Sequence, residues 1–261
     1  MDGFYKFYLI KEDKLKVEFR EPKIIEDVSI TKCFLNGTGQ LKKPKFRGET
    51  LDFFQTRTLS NGNTVYEFVA DLVAGNNSIR IKGTSSSNRP TFAKDLANKF
   101  NDGDWVKLQG FLNEYVKDGI PRRNGRINTL EKLNGQPDNP NFASVIQGKI
   151  IGYDLEDGKL TLQIGVPRFK SDEEDVFEVW GVTKDEYTKW IINNKIGVGD
   201  YISLESIPIY RNFRNDNGEW ETKNFSLIKT VYGYAKGSSE QKQEEQKEEE
   251  FQGFDLDNLP F

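Results

Sequence analysis

Between Thr31 and Arg57, six basic side chains (Lys32, Lys42, Lys43, Lys45, Arg47 and Arg57) are interleaved with Phe34, Phe46, Phe53 and Phe54, against only Glu49 and Asp52. This mixture suits recognition rather than bond-making: flat rings stack on unpaired bases, each stack worth roughly 1–3 kcal/mol, while cations follow the phosphates. The pattern recurs along the chain. In Ser78–Gly83, Ile79 and Ile81 alternate with Arg80 and Lys82, so a strand there turns the two cations to the face opposite the isoleucines. From Trp105 to Phe111, Val106 and Leu108 take the core parity and Trp105, Lys107, Gln109 and Phe111 the outer one. A hairpin from Tyr115 onward adds Arg122, Arg123 and Arg126, and a second one sets Arg211 and Arg214 among Tyr210, Phe213 and Trp220. A single aromatic in a β-protein is more often core than platform. Phe68, Phe92, Phe100 and Phe177 are expected to be core, and Trp180 fits a nucleic-acid face or a subunit interface equally well.

Bond-making chemistry finds little support. There is no histidine and a single cysteine, Cys33, so neither an ordinary zinc site nor an intramolecular disulfide can form. The acids at 172–175 are contiguous in an expected loop, where carboxylates are ordinarily solvated and would repel phosphate. The chain therefore reads as a non-enzyme that needs no cofactor or metal. Its net charge of −4 conceals three regions: residues 1–140 carry +5, 141–237 carry −3 and 238–261 carry −6. Without the last 24 residues the body is +2. No signal-peptide pattern opens the chain and no apolar run approaches membrane length, which predicts a soluble, cytoplasmic protein without membrane partners.

The elements that must position these residues are mostly strands. Short β-branched and aromatic runs separated by Gly, Asn and Asp predict an all-β architecture. Two helices interrupt it, one at Thr91–Phe100 with Phe92, Leu96 and Phe100 on one face, the other at Lys184–Ile196. They belong to an internal repeat. Each copy runs strand, Gly, helix, then Gly-Asp-aromatic-apolar-x-Leu: Gly83 and Gly103–Leu108 in the first, Gly181 and Gly199–Leu204 in the second. The offset between the copies is 98 residues at the first glycine and 96 at the second. A strand–helix–strand unit flanked by hairpins suits a small five-stranded barrel, the OB-fold. The expected organisation is an N-terminal β-hairpin extension at 1–21, packed on the first barrel or a second subunit; barrels at 22–135 and 142–236; and a disordered acidic tail at 237–261.

The tail ends Phe254-Asp255-Leu256-Asp257-Asn258-Leu259-Pro260-Phe261, behind a run from Ser238 to Glu250 built only of Ser, Glu, Gln and Lys. This ending resembles the C-terminal tip of bacterial and phage single-stranded DNA-binding proteins, which alternates Asp and Phe and closes on Ile-Pro-Phe. Asp255, Asp257, Pro260 and Phe261 match; Leu259 replaces Ile, and Asn258 stands where an acid is usual. The barrel order resembles the same family. The resemblance implies a protein that coats single-stranded DNA without sequence specificity in replication, recombination and repair. It implies too that the tip, from Phe254 to Phe261, recruits partner enzymes, and that the hairpin after each Gly-Asp strand clamps the DNA. A replisome adaptor that binds mainly proteins and a single-stranded RNA module remain alternatives, since stacking platforms accept either nucleic acid. Monomer and homodimer both fit, as do bacterial and phage origins.

Overall fold

The computed structural model describes the backbone of residues 18–46, 48–117, 120–168, 173–214 and 220–237, and the side chains of these residues except 115–122 and 210–224. In chain order the strands of the first half are β1 (Lys23–Ile24), β2 (Lys32–Lys42), β3 (Lys45–Phe46), β4 (Glu49–Thr50), β5 (Phe54–Thr58), β6 (Thr64–Ala74) and β7 (Asn77–Thr84). Helix α1 (Phe92–Lys99) follows, then β8 (Trp105–Lys117) and β9 (Ile120–Lys132). The second half comprises β10 (Phe142–Glu156), β11 (Lys159–Pro167), β12 (Glu174–Val182), α2 (Glu186–Asn193), β13 (Tyr201–Arg214) and β14 (Trp220–Ala235). Over the described residues the chain is all-β with one short helix in each half.

Strand β2 pairs with β6 and β8, β6 with β7, β7 in parallel with β9, and β9 with β8, which closes a five-stranded barrel. The pairs β10–β11, β11–β12, β12–β14, β14–β13 and β13–β10 close a second by the same connectivity. In each, the helix joins the third strand to the fourth. This is the OB-fold, twice. The barrels are fused through their first strands: β2 and β10 pair antiparallel from Gln147↔Lys32 to Phe142↔Gly37, so both contribute to one 12-stranded sheet.

Two short motifs of the repeat have local causes. Gly103 and Gly199 adopt φ of +91° and +98°, a turn conformation that costs glycine nothing. The following aspartate closes each turn: Asp104 Oδ2 accepts the Asn101 N–H at 2.8 Å, and Asp200 Oδ2 accepts the Gly197 N–H at 2.9 Å. Gly83 and Gly181 sit under the helices, where a Cβ would lie 2.7 Å from Leu96 Cδ1 and 2.3 Å from Thr188 Oγ1. The helices close the barrels by burying Ala93 and Leu96 in the first half and Tyr187, Thr188 and Ile191 in the second. Period-two alternation supplies the rest of the core. Leu35, Leu41, Phe68, Leu72, Ile81 and Leu108 are buried in one barrel, and Ile146, Leu162, Phe177, Val179, Ile202 and Leu204 in the other. Each such side chain contributes about 1.5–3 kcal/mol of transfer free energy.

Phe92 departs from expectation, being only half-buried, with the Arg89 guanidinium 3.4 Å above its ring. Most of the expected N-terminal extension, residues 1–17, lies outside the described residues. The described part of it has no strand and sits on the second half: Phe19 packs on Tyr187 at 5.1 Å, and the Arg20 N–H donates to the Tyr187 hydroxyl at 3.1 Å. The expected tail also lies outside the described residues, apart from its first residue, Gly237.

Candidate nucleic-acid interface

The register of the strands assembles one continuous row of outer side chains across both barrels. Lys82 of β7 faces Arg126 of β9, Arg126 faces Phe111 of β8, and Phe111 faces Phe34 of β2. Across the junction Phe34 faces Val145 of β10, and Val145 faces Glu205 of β13. Two cations are thus followed by two rings, an aliphatic side chain and an acid, on six neighbouring strands. Phe34 and Phe111 are 39% and 41% exposed, with ring centroids 5.4 Å apart and planes tilted by 38°. Large apolar rings left this open on a sheet face can stack on a planar ligand. Among the described residues, neither Lys82 nor Arg126 takes part in a salt bridge.

A second row lies beside the first. Asn36 of β2 faces Gln109 of β8, Thr38 faces Lys107, and Gln40 faces Trp105. Lys107 is exposed and Trp105 half-buried. Lys32 is half-buried at the start of β2. On the hairpin between β2 and β6, Lys45 and Phe46 are exposed in β3. Lys43 is held by Asp52 at 2.7 Å. Phe54 lies on Tyr66 at 6.0 Å with planes 9° apart, and Arg57 is beside Glu67 at 3.5 Å. Tyr66, 46% exposed, joins this surface although alternation puts it on the core parity of β6 with Phe68; the strand outruns the core at that end.

Arg80 belongs less to the open surface than the alternation predicts. It makes a two-toothed ion pair with its cross-strand neighbour Asp71, at 2.9 and 3.1 Å, and reaches the Lys45 carbonyl. Arg123 leaves the candidate surface altogether. Its side chain is 2% exposed, bonded to Glu114 at 2.8 Å and to Ser226 of the other barrel at 2.8 Å, 5.7 Å over the Phe177 ring. The second half folds over it. Burial pushes the Glu114 carboxyl above its ordinary range, and Arg123 opposes that rise. Burial likewise raises the Cys33 thiol. Trp180 is not on an open face: it is buried within the chain, stacked on Phe225 at 3.9 Å and covered by Lys159 at 4.2 Å. The acidic run is tied down in part, as Arg168 pairs with both Asp175, at 2.6 Å, and Glu173. Arg47, and the tip residues Phe254, Asp255, Asp257, Leu259, Pro260 and Phe261, lie outside the described residues, as do the side chains of Tyr115, Arg122, Tyr210, Arg211, Phe213, Arg214 and Trp220.

No family model matches the sequence, and no curated protein matches it. Solved structures do match. The wild-type single-stranded DNA binding protein from Thermus aquaticus is similar over 80% of this chain and 94% of its own, with a TM-score of 0.51 at 14% identity. The likeness is one of fold. A deletion mutant of that Thermus protein covers 78% of this chain and 94% of its own, with a TM-score of 0.49 at 14% identity. The mitochondrial single-stranded DNA binding protein of S. cerevisiae covers 37% of this chain and 96% of its own, with a TM-score of 0.29 at 14% identity. Among the described residues there is no cluster of three or more metal-ligating side chains, and no helix is long and apolar enough to cross a membrane.

Proposed function

We propose that this protein binds single-stranded DNA without strong sequence dependence, through the outer face of the first barrel and the junction with the second. The observation that carries the reading is the row Lys82, Arg126, Phe111, Phe34, in which phosphate-binding cations lead directly into exposed rings. The likeness in fold to a protein that binds single-stranded DNA supports it. The two hairpins, with Tyr115 and Arg122 in one and Tyr210, Arg211, Phe213, Arg214 and Trp220 in the other, would close over the strand. Lys32, Lys43, Lys45, Phe46, Arg47, Phe54, Arg57, Trp105 and Lys107 would extend its path. On this reading 22–135 and 142–236 are the two barrel domains, and the first carries most of the affinity. The second opposes phosphate with its net charge of −3 over 141–237.

The acidic tail would recruit proteins that act on the coated strand, in replication, recombination or repair, through Phe254 to Phe261. Its charge of −6 also competes with DNA for cationic surface at low salt. Binding to oligothymidylate, followed by tryptophan quenching across a salt series, tests the central claim: affinity should fall steeply as salt rises. No binding at low salt would overturn it. Deleting 238–261 should leave or raise that affinity, and a marked loss would contradict the assignment of the tail to partners.

A further inference from the structure

A shallow cavity of about 370 Å³ opens on the outer face where β8, β2, β10 and β13 lie side by side. It has the size of a small-ligand site at the lower end of the usual range, about 300–1,000 Å³. Its lining mixes an apolar floor, from Leu108, Ala143 and Val145, with polar side chains that are graded in charge. Lys107 stands on one flank, the cross-strand amides Asn36 and Gln109 lie between, and Glu205 closes the other flank from the second barrel. The cavity adjoins the stacking pair, because Val145 links Phe34 to Glu205 in register. A nucleotide next to one stacked on Phe34 and Phe111 would therefore meet this lining.

Glu205 is the distinctive member. Its side chain is 17% exposed, and its carboxylate is fixed from behind by Lys229 Nζ at 2.6 Å and by the Tyr232 hydroxyl. Each carboxylate oxygen accepts two hydrogen bonds, so both keep a lone pair after these two contacts. An ionised carboxylate only accepts. It pairs well with an exocyclic amine such as N4 of cytosine. Thymine offers no amine, and its one ring N–H is flanked by two carbonyl oxygens that a carboxylate repels.

We infer that this cavity is a single-nucleotide subsite in which Lys107 holds the phosphate and Glu205 accepts from the exocyclic amine of the base, favouring cytosine over thymine at one position of an otherwise tolerant site. The inference rests on the reading of the protein as a single-stranded DNA binder and adds a preference to it. Fluorescence anisotropy with the full chain provides the test, using labelled oligothymidylate of about 12 nucleotides and a series carrying one dC at each position in turn. One or a few adjacent positions should bind about fivefold tighter with dC. Glu205→Gln should remove that difference, since an amide can donate to thymine as well as accept from cytosine. Equal affinity across the wild-type series would overturn the subsite while leaving DNA binding intact; no binding of any oligomer would overturn the underlying reading instead. A preference that persists in a Glu205→Gln variant with a normal thermal melt would overturn the role of Glu205. The wild-type series decides the question even if that variant fails to fold.

Discussion

Arg123 Nη1 donates a 2.8 Å hydrogen bond to Ser226 Oγ, joining residues 103 positions apart across the junction of the barrels. The same guanidinium pairs with Glu114 and faces the Phe177 ring, so one buried cation is shared by both halves. A buried ion pair is expensive to form and more expensive to break, because removing one partner leaves the other charge unpaired. Arg123→Ala should lower unfolding free energy by about 3–5 kcal/mol, read by denaturant titration. A loss near zero would mean that water reaches the pair and that it behaves as a surface contact.

Glu114 gives this junction a pH signature of known sign. Burial raises its carboxyl above the ordinary value of 4.5, against the pull of Arg123. A raised folded value means that the native state holds the proton more tightly than the unfolded chain. The resulting stability is fully present below the ordinary value and lost as pH rises through the folded one. Wild type should therefore gain stability relative to Glu114→Gln as pH falls from 7 toward 4.5, in paired melts at matched pH. A gap that moves the other way would assign Glu114 a lowered value, with Arg123 dominating burial.

The glycines of the repeat make a steric prediction. A Cβ on Gly181 would stand 2.3 Å from Thr188 Oγ1 and 3.0 Å from Thr188 Cγ2, a side chain that is itself fully buried. Gly181→Ala should therefore destabilise the second barrel by about 1–3 kcal/mol, the usual cost of overpacking. Pairing it with Thr188→Ala, which removes both Oγ1 and Cγ2, should recover part of the loss. A neutral Gly181→Ala would show that α2 lifts off without cost.

These glycines also show how far the sequence carried. The order strand, Gly, helix, Gly-Asp-aromatic is local: each piece is set by a turn, a close approach or a capping carboxylate within a few residues. It announced both barrels. Alternation likewise oriented Val106, Leu108, Ile79 and Ile81 inward, and so turned Lys107 and Phe111 outward. What stayed hidden was decided between segments. Arg122, Arg123 and Arg126 are of one type on one hairpin, yet Arg123 is buried because the second barrel covers it, and no nearby residue encodes that approach. The row from Lys82 to Glu205 depends on six strands' registers, one of them the β2–β10 pairing between halves.

That row separates two kinds of contribution, and one experiment can tell them apart. Phe34 and Phe111 carry no charge, so replacing either by Ala should weaken binding of single-stranded DNA by about 1–3 kcal/mol at every salt concentration. The slope of log affinity against log salt should not change. Lys82 and Arg126 act through counterion release, so Lys82→Ala or Arg126→Ala should reduce the magnitude of that slope by about 0.7 each. Their effect should fade as salt rises. The rings touch, at 5.4 Å between centroids, so Phe34→Ala with Phe111→Ala should cost less than the two losses added, because a platform that has lost one ring has already lost part of the other's purchase on the base. Arg123→Ala supplies the internal contrast: once corrected for stability it should leave the salt slope unaltered, since its charge is spent on Glu114 and never meets a phosphate. A slope reduced by Arg123→Ala but not by Arg126→Ala would move the path of the strand off this face of the barrel.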